Sequence, residues 1–324
     1  MAKVGVIGAG AWGTVVANVL AENGHQVRLW CYADTIANTI AHHRTHHRLP
    51  GATLSPHLEV TTHMADCYDV DWVVLGLSAS QLTQYDASMA WSAWSMPVIA
   101  LAKGLMEPDW FVSDWLRQRV SGPIGVLSGP NLALELAHQK PAATVIATTD
   151  AVLSKQVQDA LSNGYLRCYT SDDMIGVQCG GIFKNVLAIA AGSLDALQLG
   201  DNAKAALITR GVVELQRVAQ FFGANPDTIM GLSGLGDLMA TCSSTQSRNW
   251  QLGHAMVTDP TGWECHDRGQ TEGMRTIQLF YDHIVANDLN VPIMMSVGRL
   301  FRDPSASPQG MLADLMKRGL KSEF

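Results

Sequence analysis

Charged residues make up only 16% of the 324-residue chain, against 47% hydrophobic ones, a balance too apolar for a disordered protein and ordinary for a folded enzyme. What charge there is leans acidic. A formal net charge of −7, a pI near 5.8 and the lack of a basic cluster argue against nucleic acid as a partner. An anionic small molecule stays open, because a few convergent cations in one pocket suffice. Paired cysteines are missing as well: Cys31, Cys67, Cys168, Cys179, Cys242 and Cys265 are scattered without a C-x-x-C pair. Neither a disulfide framework nor a zinc site is indicated, and reduced thiols in a cytoplasmic protein fit better. No uninterrupted apolar stretch of ~20 residues occurs, which argues against a membrane span. There is no linker rich in Pro, Gly or Ser and no internal repeat.

What is present begins with a nucleotide signature. The β-branched run Lys3-Val4-Gly5-Val6-Ile7 leads directly into Gly8-Ala9-Gly10-Ala11-Trp12-Gly13, then into the helix-like stretch Thr14 to Glu22 and a second apolar run, His25 to Trp30. In this order Gly8 allows the tight turn, Gly10 lets the backbone approach a pyrophosphate, and Gly13 permits close helix–strand packing. The helix N-terminus then faces the phosphates. No residue decides between NAD and NADP. The second strand ends near Trp30-Cys31-Tyr32, Asp34 falls slightly late for a ribose contact, and Arg44 and Arg48 lie further on.

Strand candidates recur at α/β spacing: Trp72 to Leu77, Pro97 to Ala102, Ile124 to Leu127, Ala142 to Ala147 and Leu166 to Thr170. Helical stretches such as Trp110 to Arg119 and Ala151 to Leu161 lie between them. From about Asp172 the apolar period becomes helical, over 173–198, 204–222 and 271–287, with shorter segments near 247–257, 292–301 and 309–318. The expected fold class is therefore α/β: a Rossmann-like doubly wound sheet over residues 1–172, followed by an all-α domain over 173–324 carrying substrate and catalytic residues, with a site in the cleft between them. Residues 42–66 read as irregular. Their run His42-His43-Arg44-Thr45-His46-His47-Arg48 has histidines at metal-binding spacing but neither cysteine nor carboxylate close by, so a solvated loop is expected and no metal site.

Lys184 and Asn185 are the only strongly polar side chains from 180 to 192. A lysine desolvated there has its pKa pushed down, which suits proton transfer near neutral pH; the alternative is a buried stem with a tip reaching water. Ser78, Lys103 and the Ser128-to-Asn131 turn follow strand ends, where open parallel sheets border their ligands.

In their order, Gly8 to Thr14, Ala102 to Leu105, Ser128 to Pro130, Ile175 to Gln178, Lys184 to Val186, Arg210-Gly211, Gly234 to Leu238, Thr241-Cys242, Ser247 to Asn249 and Glu272-Gly273 resemble the bacterial NAD(P)-dependent glycerol-3-phosphate dehydrogenases. The likeness runs from about residue 3 to 320. It implies reversible hydride transfer between dihydroxyacetone phosphate and sn-glycerol 3-phosphate, with NAD or NADP as cofactor, in supply of the phospholipid backbone. By the same resemblance Lys184 is the general acid/base, Asp237 its partner and Lys103 a second lysine at the reaction. Gly129, Asn131, Asn185, Thr241, Ser247, Arg248 and Asn249 join these three around the substrate. Gly8, Gly10, Ala11, Trp12, Gly13, Tyr32, Lys103, Ala133, Arg248 and Glu272 are the implied cofactor contacts. The helix near Met311 to Lys317 either closes the core or makes a subunit contact, the latter compatible with a homodimer.

The chain departs from that pattern at four places. Asn131 stands where Ser or Thr is usual, Gly76 to Ser80 is an atypical turn, 257–268 replaces a helical stretch by a Pro- and Gly-containing loop, and Gln270-Thr271 replaces an apolar pair. The reading has two rivals: a dehydrogenase of the 3-hydroxyacid or ketopantoate type, which would prefer a carboxylate substrate, and a catalytically silent nucleotide sensor.

Overall fold

β-branched runs pair in parallel through the first half of the chain. The computed structural model describes residues 1–259, 261, 263, 271–317, 319 and 322. Strands β1 (Lys3–Ile7), β2 (Gln26–Trp30), β3 (Leu58–Thr61), β4 (Trp72–Leu75), β5 (Val98–Ala100), β6 (Ile124–Ser128), β7 (Ala142–Ala147) and β8 (Leu166–Ser171) form one sheet in the order β3-β2-β1-β4-β5-β6-β7-β8. Every pairing is parallel except β6 with β7. The first six strands thus follow the doubly wound dinucleotide-binding order, with the chain reversing direction across the sheet between β1 and β4. Helices α1 (Ala11–Glu22), α2 (Asp34–Asn38), α3 (Ala79–Tyr85), α4 (Val112–Arg117), α5 (Ala133–Ala137) and α6 (Ala151–Leu161) belong to this half. Val15, Val16, Val19 and Leu20 of α1 and Leu153, Val157 and Leu161 of α6 join the core of the sheet.

The α/β class and the succession of elements match expectation, and two details differ. The strand expected to reach Leu77 stops at Leu75, and the Gly76 amide makes the last bond of its ladder with β1, to the Ile7 carbonyl at 2.8 Å. Residues 42–66, expected to be irregular, contain edge strand β3 and an ordered strap before it; of the run expected as a solvated loop, His42, His43, Thr45, His47 and Arg48 are exposed, but Arg44 and His46 turn inward. Thr39–His43 forms a single π-helical turn, and Arg44 then reverses the chain at φ +54°. The guanidinium of Arg44 donates to the Ser55 and Leu58 carbonyls at 3.3 and 2.7 Å, and His46 is only 3% exposed. Inward-turned Arg and His side chains anchor backbone here, which residue type alone disguises as a solvated run.

The second half is helical: α7 (Met174–Ala196), α8 (Gly200–Phe221), α9 (Asp237–Cys242), α10 (Arg248–Thr258), α11 (Glu272–Ala286), α12 (Pro292–Leu300) and α13 (Pro308–Met316). Packing divides the chain into one unit of residues 1–106 with 110–178 and another of 107–109 with 179–324. The first turn of α7 stays with the sheet because Gln178 exchanges hydrogen bonds with Ser113, at 2.8 Å to its hydroxyl and 3.2 Å from its amide. Of the divergent 257–268 stretch, Val257 and Thr258 still belong to α10; residues 260, 262 and 264–268 lie outside the described residues, as do Cys265 and Gln270. The other five cysteines are buried free thiols.

Helix α7 is long and apolar enough to cross a membrane, alone in this among the described residues, although no uninterrupted apolar run exists. Gln178, Lys184 and Asn185 interrupt the run without outweighing it. As 94% of its most apolar window is buried within the protein, α7 is the core helix of the second unit. Its close neighbour is α10. A Cβ on Gly253 would stand 1.8 Å from the Ile189 carbonyl oxygen, and one on Gly192 would stand 1.9 Å from that of Trp250. Glycine at both crossing points therefore lets the two backbones meet, and the Ser193 hydroxyl donates to the Gly253 carbonyl at 3.0 Å. Forcing a methyl into this contact should cost about 1–3 kcal/mol. Urea unfolding of Gly253→Ala should report that loss, and a variant as stable as the parent would contradict the contact.

Candidate active site

Lys184 lies ten residues into α7, in the buried stretch of the helix, so little of its side chain meets water. The side chain is 7% exposed and its Nζ donates to Asp237 Oδ1 at 2.6 Å and to Thr241 Oγ1 at 2.5 Å. Both oxygens come from α9, where a separation of four residues puts them on one helical face. The Thr241 hydroxyl donates onward to the Asp237 carbonyl at 2.6 Å, which turns its lone pairs toward the lysine. Burial strips the nitrogen of water, and the carboxylate and hydroxyl oxygens take the place of that water as its hydrogen-bond acceptors. Asp237 reaches this place through the π-helical turn Leu232–Gly236 that runs directly into α9. That turn packs on α7 only because residue 180 is glycine: a Cβ there would lie 2.5 Å from the Ser233 carbonyl oxygen. Sequence reasoning gave Gly180 no role; its signal was a glycine inside a helical run. Next to Thr241, burial pushes the Cys242 thiol up to about 12, against the pull of Lys184 and Lys204, so it stays protonated.

A second polar group forms beside the first. Asn249 donates to Asn185 Oδ1 at 2.9 Å and accepts from the Gly273 amide at 2.9 Å, so α7, α10 and α11 meet through one carboxamide. Ser247 caps α10 through the Trp250 amide, and Arg248, the first residue of that helix, is exposed. Glu272 opens α11 with its Oε2 fully enclosed and without a hydrogen-bond partner. Burial pushes its carboxyl up, opposed by Arg275 and Arg248.

In the sheet unit, Gly8 at the end of β1 takes φ +117°, and a Cβ there would stand 2.9 Å from the Gly76 backbone. A Cβ on Gly13 would lie 2.2 Å from the Gly8 carbonyl oxygen, whereas the space around Gly10 is open, its nearest neighbour being the Gly76 oxygen at 3.9 Å. Ala11 and Trp12 form the first turn of α1; Trp12 Nε1 and Thr14 Oγ1 are buried without partners. Lys103, after β5, donates to the Gly129 carbonyl at 3.0 Å. Asn131 commits its amide nitrogen to the Ala143 carbonyl and its oxygen to the Thr144 hydroxyl, both at 3.0 Å, and so serves β7 first. Ser78 caps α3 together with Gln81. Tyr32 is exposed beyond β2, and Ala133 opens α5.

The candidates thus fall into the cluster Lys184–Asp237–Thr241 with Asn185, Asn249, Ser247, Arg248 and Glu272 in the helical unit, and the glycine loop with Lys103 and Gly129 in the sheet unit. A cavity of about 530 Å³ in the helical unit, bordered by Leu194, Leu207, Arg210, Ile293 and Met311, contains none of them. Among the described residues no group of three His, Cys, Asp or Glu side chains is placed to hold a metal.

Residues 3–154 match the family model for the NAD-dependent glycerol-3-phosphate dehydrogenase N-terminus, and residues 173–311 match the model for its C-terminus. A glycerol-3-phosphate dehydrogenase (NAD(P)+) from Chelativorans sp. is 38% identical over 99% of this chain and 98% of the relative. One from Paramagnetospirillum magneticum is 42% identical over 81% of this chain and 98% of the relative. The crystal structure of glycerol-3-phosphate dehydrogenase from Coxiella burnetii superposes with a TM-score of 0.89, at 30% identity, covering 98% of this chain and 99% of that one. A probable 2-dehydropantoate 2-reductase from Bacillus subtilis shares the fold alone, with a TM-score of 0.58 at 15% identity over 93% of this chain and 99% of that one.

Two expectations follow from the geometry. Asp237→Ala removes the carboxylate that faces a buried ammonium and should lose about 3–5 kcal/mol in urea unfolding, whereas the double change Lys184→Met with Asp237→Leu should recover most of it. A double variant no more stable than the single one would overturn the account. For Glu272, a raised native pKa means that the unfolded chain sheds its proton first. The native state is therefore penalised as pH rises above the ordinary carboxylate range. Glu272→Gln should raise the Tm more at pH 8 than at pH 5, and an equal gain at both pH values would contradict the enclosure of Oε2.

Proposed function

The chain belongs to the NAD-dependent glycerol-3-phosphate dehydrogenase family, and from that premise we propose that Lys184, held by Asp237 and Thr241, moves the proton of its reaction. The reaction is the NAD(P)H-dependent reduction of dihydroxyacetone phosphate to sn-glycerol 3-phosphate, run reversibly. The observation that carries the proposal is the 2.6 Å contact between a lysine and an aspartate that are both almost fully buried. A structural ion pair gains little from such burial, because desolvating the two charges offsets most of their attraction. A proton donor gains much: negative charge developing on the ketone oxygen meets an ammonium already stripped of water.

When bound, the dihydronicotinamide supplies the hydride. The residues of the sheet unit fit such a cofactor. Open space at Gly10, the free amides of the first turn of α1 and the orphaned Trp12 Nε1 and Thr14 Oγ1 are a nucleotide's surroundings. In this reading Gly8, Gly10, Ala11, Trp12 and Gly13 hold the pyrophosphate, with Tyr32, Ala133 and Lys103 as further cofactor contacts and Glu272 and Arg248 as those of the helical unit. Lys103, steadied by the Gly129 carbonyl, also orients the substrate, as do Asn131, Asn185 and Asn249. Arg248 takes the phosphate: an exposed guanidinium fork at a helix N-terminus offers paired donors together with the helix dipole. Ser247 fixes that terminus by capping it. As Lys184 gives up its proton to the product alkoxide, the hydroxyl of Thr241 and the carboxylate of Asp237 keep the amine aimed for the reverse step. Supply of the glycerophospholipid backbone, in the cytoplasm, is the biological role we attach to this reaction.

Purified protein mixed with dihydroxyacetone phosphate should bleach the reduced-nicotinamide absorbance, and parallel runs with NADH and NADPH give the coenzyme preference. Lys184→Ala should lower kcat by about 10²–10⁴-fold while the cofactor still binds. Turnover close to the parent's would remove Lys184 from the chemistry.

A further inference from the structure

The buried imidazole of His46 has no part in the reaction as described, yet it touches the nucleotide loop. Its Nε2 lies 3.1 Å from the Ala9 carbonyl oxygen, between the first two glycines of the motif. Its Nδ1 accepts the Arg48 amide at 3.2 Å. An acceptor at Nδ1 and a carbonyl at Nε2 together require one protonation state, the neutral ring with its hydrogen on Nε2. Burial lowers the imidazole's pKa, with His47 and Arg48 adding to the effect and the Ala9 carbonyl opposing it.

The strap that presents this ring is tied down on both sides. Arg44, in the left-handed region at φ +54°, fastens to the Ser55 and Leu58 carbonyls, and its own carbonyl accepts the Leu54 amide at 2.8 Å. On the other side the Ser55 amide donates to Asn18 of α1 at 2.6 Å. His46 therefore does not drift with a surface loop but is held against the helix whose N-terminus carries the free amides.

We propose that His46 is a positioning residue for the cofactor: by gripping the Ala9 carbonyl it fixes the glycine loop so that the first amides of α1 are aimed at a diphosphate before it arrives. This rests on the dinucleotide reading of the loop given above. Gly10 is the point that needs fixing, since it has no side chain and open space around it. Its own carbonyl already accepts the Thr14 amide at 2.9 Å, so the peptide group after it is held. The peptide group before it is the Ala9–Gly10 unit, which is planar and turns as one body. With both flanking groups held, the dihedrals of Gly10, φ −72° and ψ 169°, are set, and the directions of the Ala11 and Trp12 amides follow. A loop ordered in advance binds more tightly, because the cost of ordering it does not fall on the ligand.

The experiment compares wild type, His46→Leu and His46→Gln in NADH and NADPH titrations followed by energy transfer from tryptophan to the dihydronicotinamide, and in steady-state kinetics. Leucine fills the space without a donor, whereas the glutamine amide can donate to the same carbonyl. His46→Leu should weaken cofactor binding and raise its KM by about 3- to 10-fold, the size of one net hydrogen bond, with kcat at saturating cofactor within about twofold of the parent. His46→Gln should restore most of the affinity. If His46→Leu does not fold, His46→Asn replaces it: it keeps the amide on a stem too short to reach, and the same loss is expected. Unchanged cofactor KM in the donor-less variant, or equal loss in His46→Gln, would overturn the positioning role. Wild-type protein that binds neither NADH nor NADPH would instead overturn the nucleotide reading on which it rests.

Discussion

An ammonium ion buried to 7% exposure has to be answered by oxygen atoms, and much of the helical unit is arranged to answer the one on Lys184. The lysine sits on the core helix α7, so the oxygens must arrive from another element at near-contact distance. Asp237 and Thr241 do so from α9, whose start is set by the π-helical turn lying against Gly180. A side chain at residue 180 would lift that turn off α7 and with it the carboxylate. The pair is therefore a constraint on backbone approach as much as on charge.

Small residues at crossing points extend the same logic. Gly192 and Gly253 let α10 ride directly on α7, and α10 carries Arg248 and Asn249 on its first turn. Gly273 admits the start of α11 against the Asn185 carbonyl, which brings Glu272 near Arg248 and the Asn249 carboxamide onto the Gly273 amide. One long helix thus serves as the ruler for three others, and the polar side chains lie where those helices touch it. Precision in the site comes from the rigidity of these crossings, since buried backbones at van der Waals contact have little room to shift.

The strands of the sheet were legible because buried strands announce themselves as short apolar runs rich in β-branched residues, as β1, β4, β6 and β7 do, whereas the antiparallel pairing of β6 with β7 left no mark in the sequence. Helices α7, α8 and α11 were legible from their period. Edge strand β3 was not: Leu58-Glu59-Val60-Thr61 is four residues long, half exposed, and follows a run of histidines and arginines that suggests solvent. Lys184 stood out as a cation in an apolar helix, whereas its partners are 53 and 57 residues away, and only the family resemblance named them, Asp237 as its partner and Thr241 as a substrate contact. The inward turn of His46 had no local signal, since its cause is a backbone reversal at Arg44 and a carbonyl 37 residues earlier.

That reversal also bears on coenzyme choice. Arg44, one of the cations that could have met a ribose phosphate, has its guanidinium committed to two backbone carbonyls behind the strap. Withdrawing it would leave those carbonyls short of a donor and loosen the support of His46. Of the residues weighed for that role, Asp34 and Arg48 keep exposed side chains, one acidic and one basic. Their charges pull opposite ways, the carboxylate repelling a 2′-phosphate and the guanidinium attracting it. Strict selection of NADH or NADPH requires several charge-assisted contacts to the 2′-group, and Arg44, turned to backbone carbonyls, is poorly placed to add one.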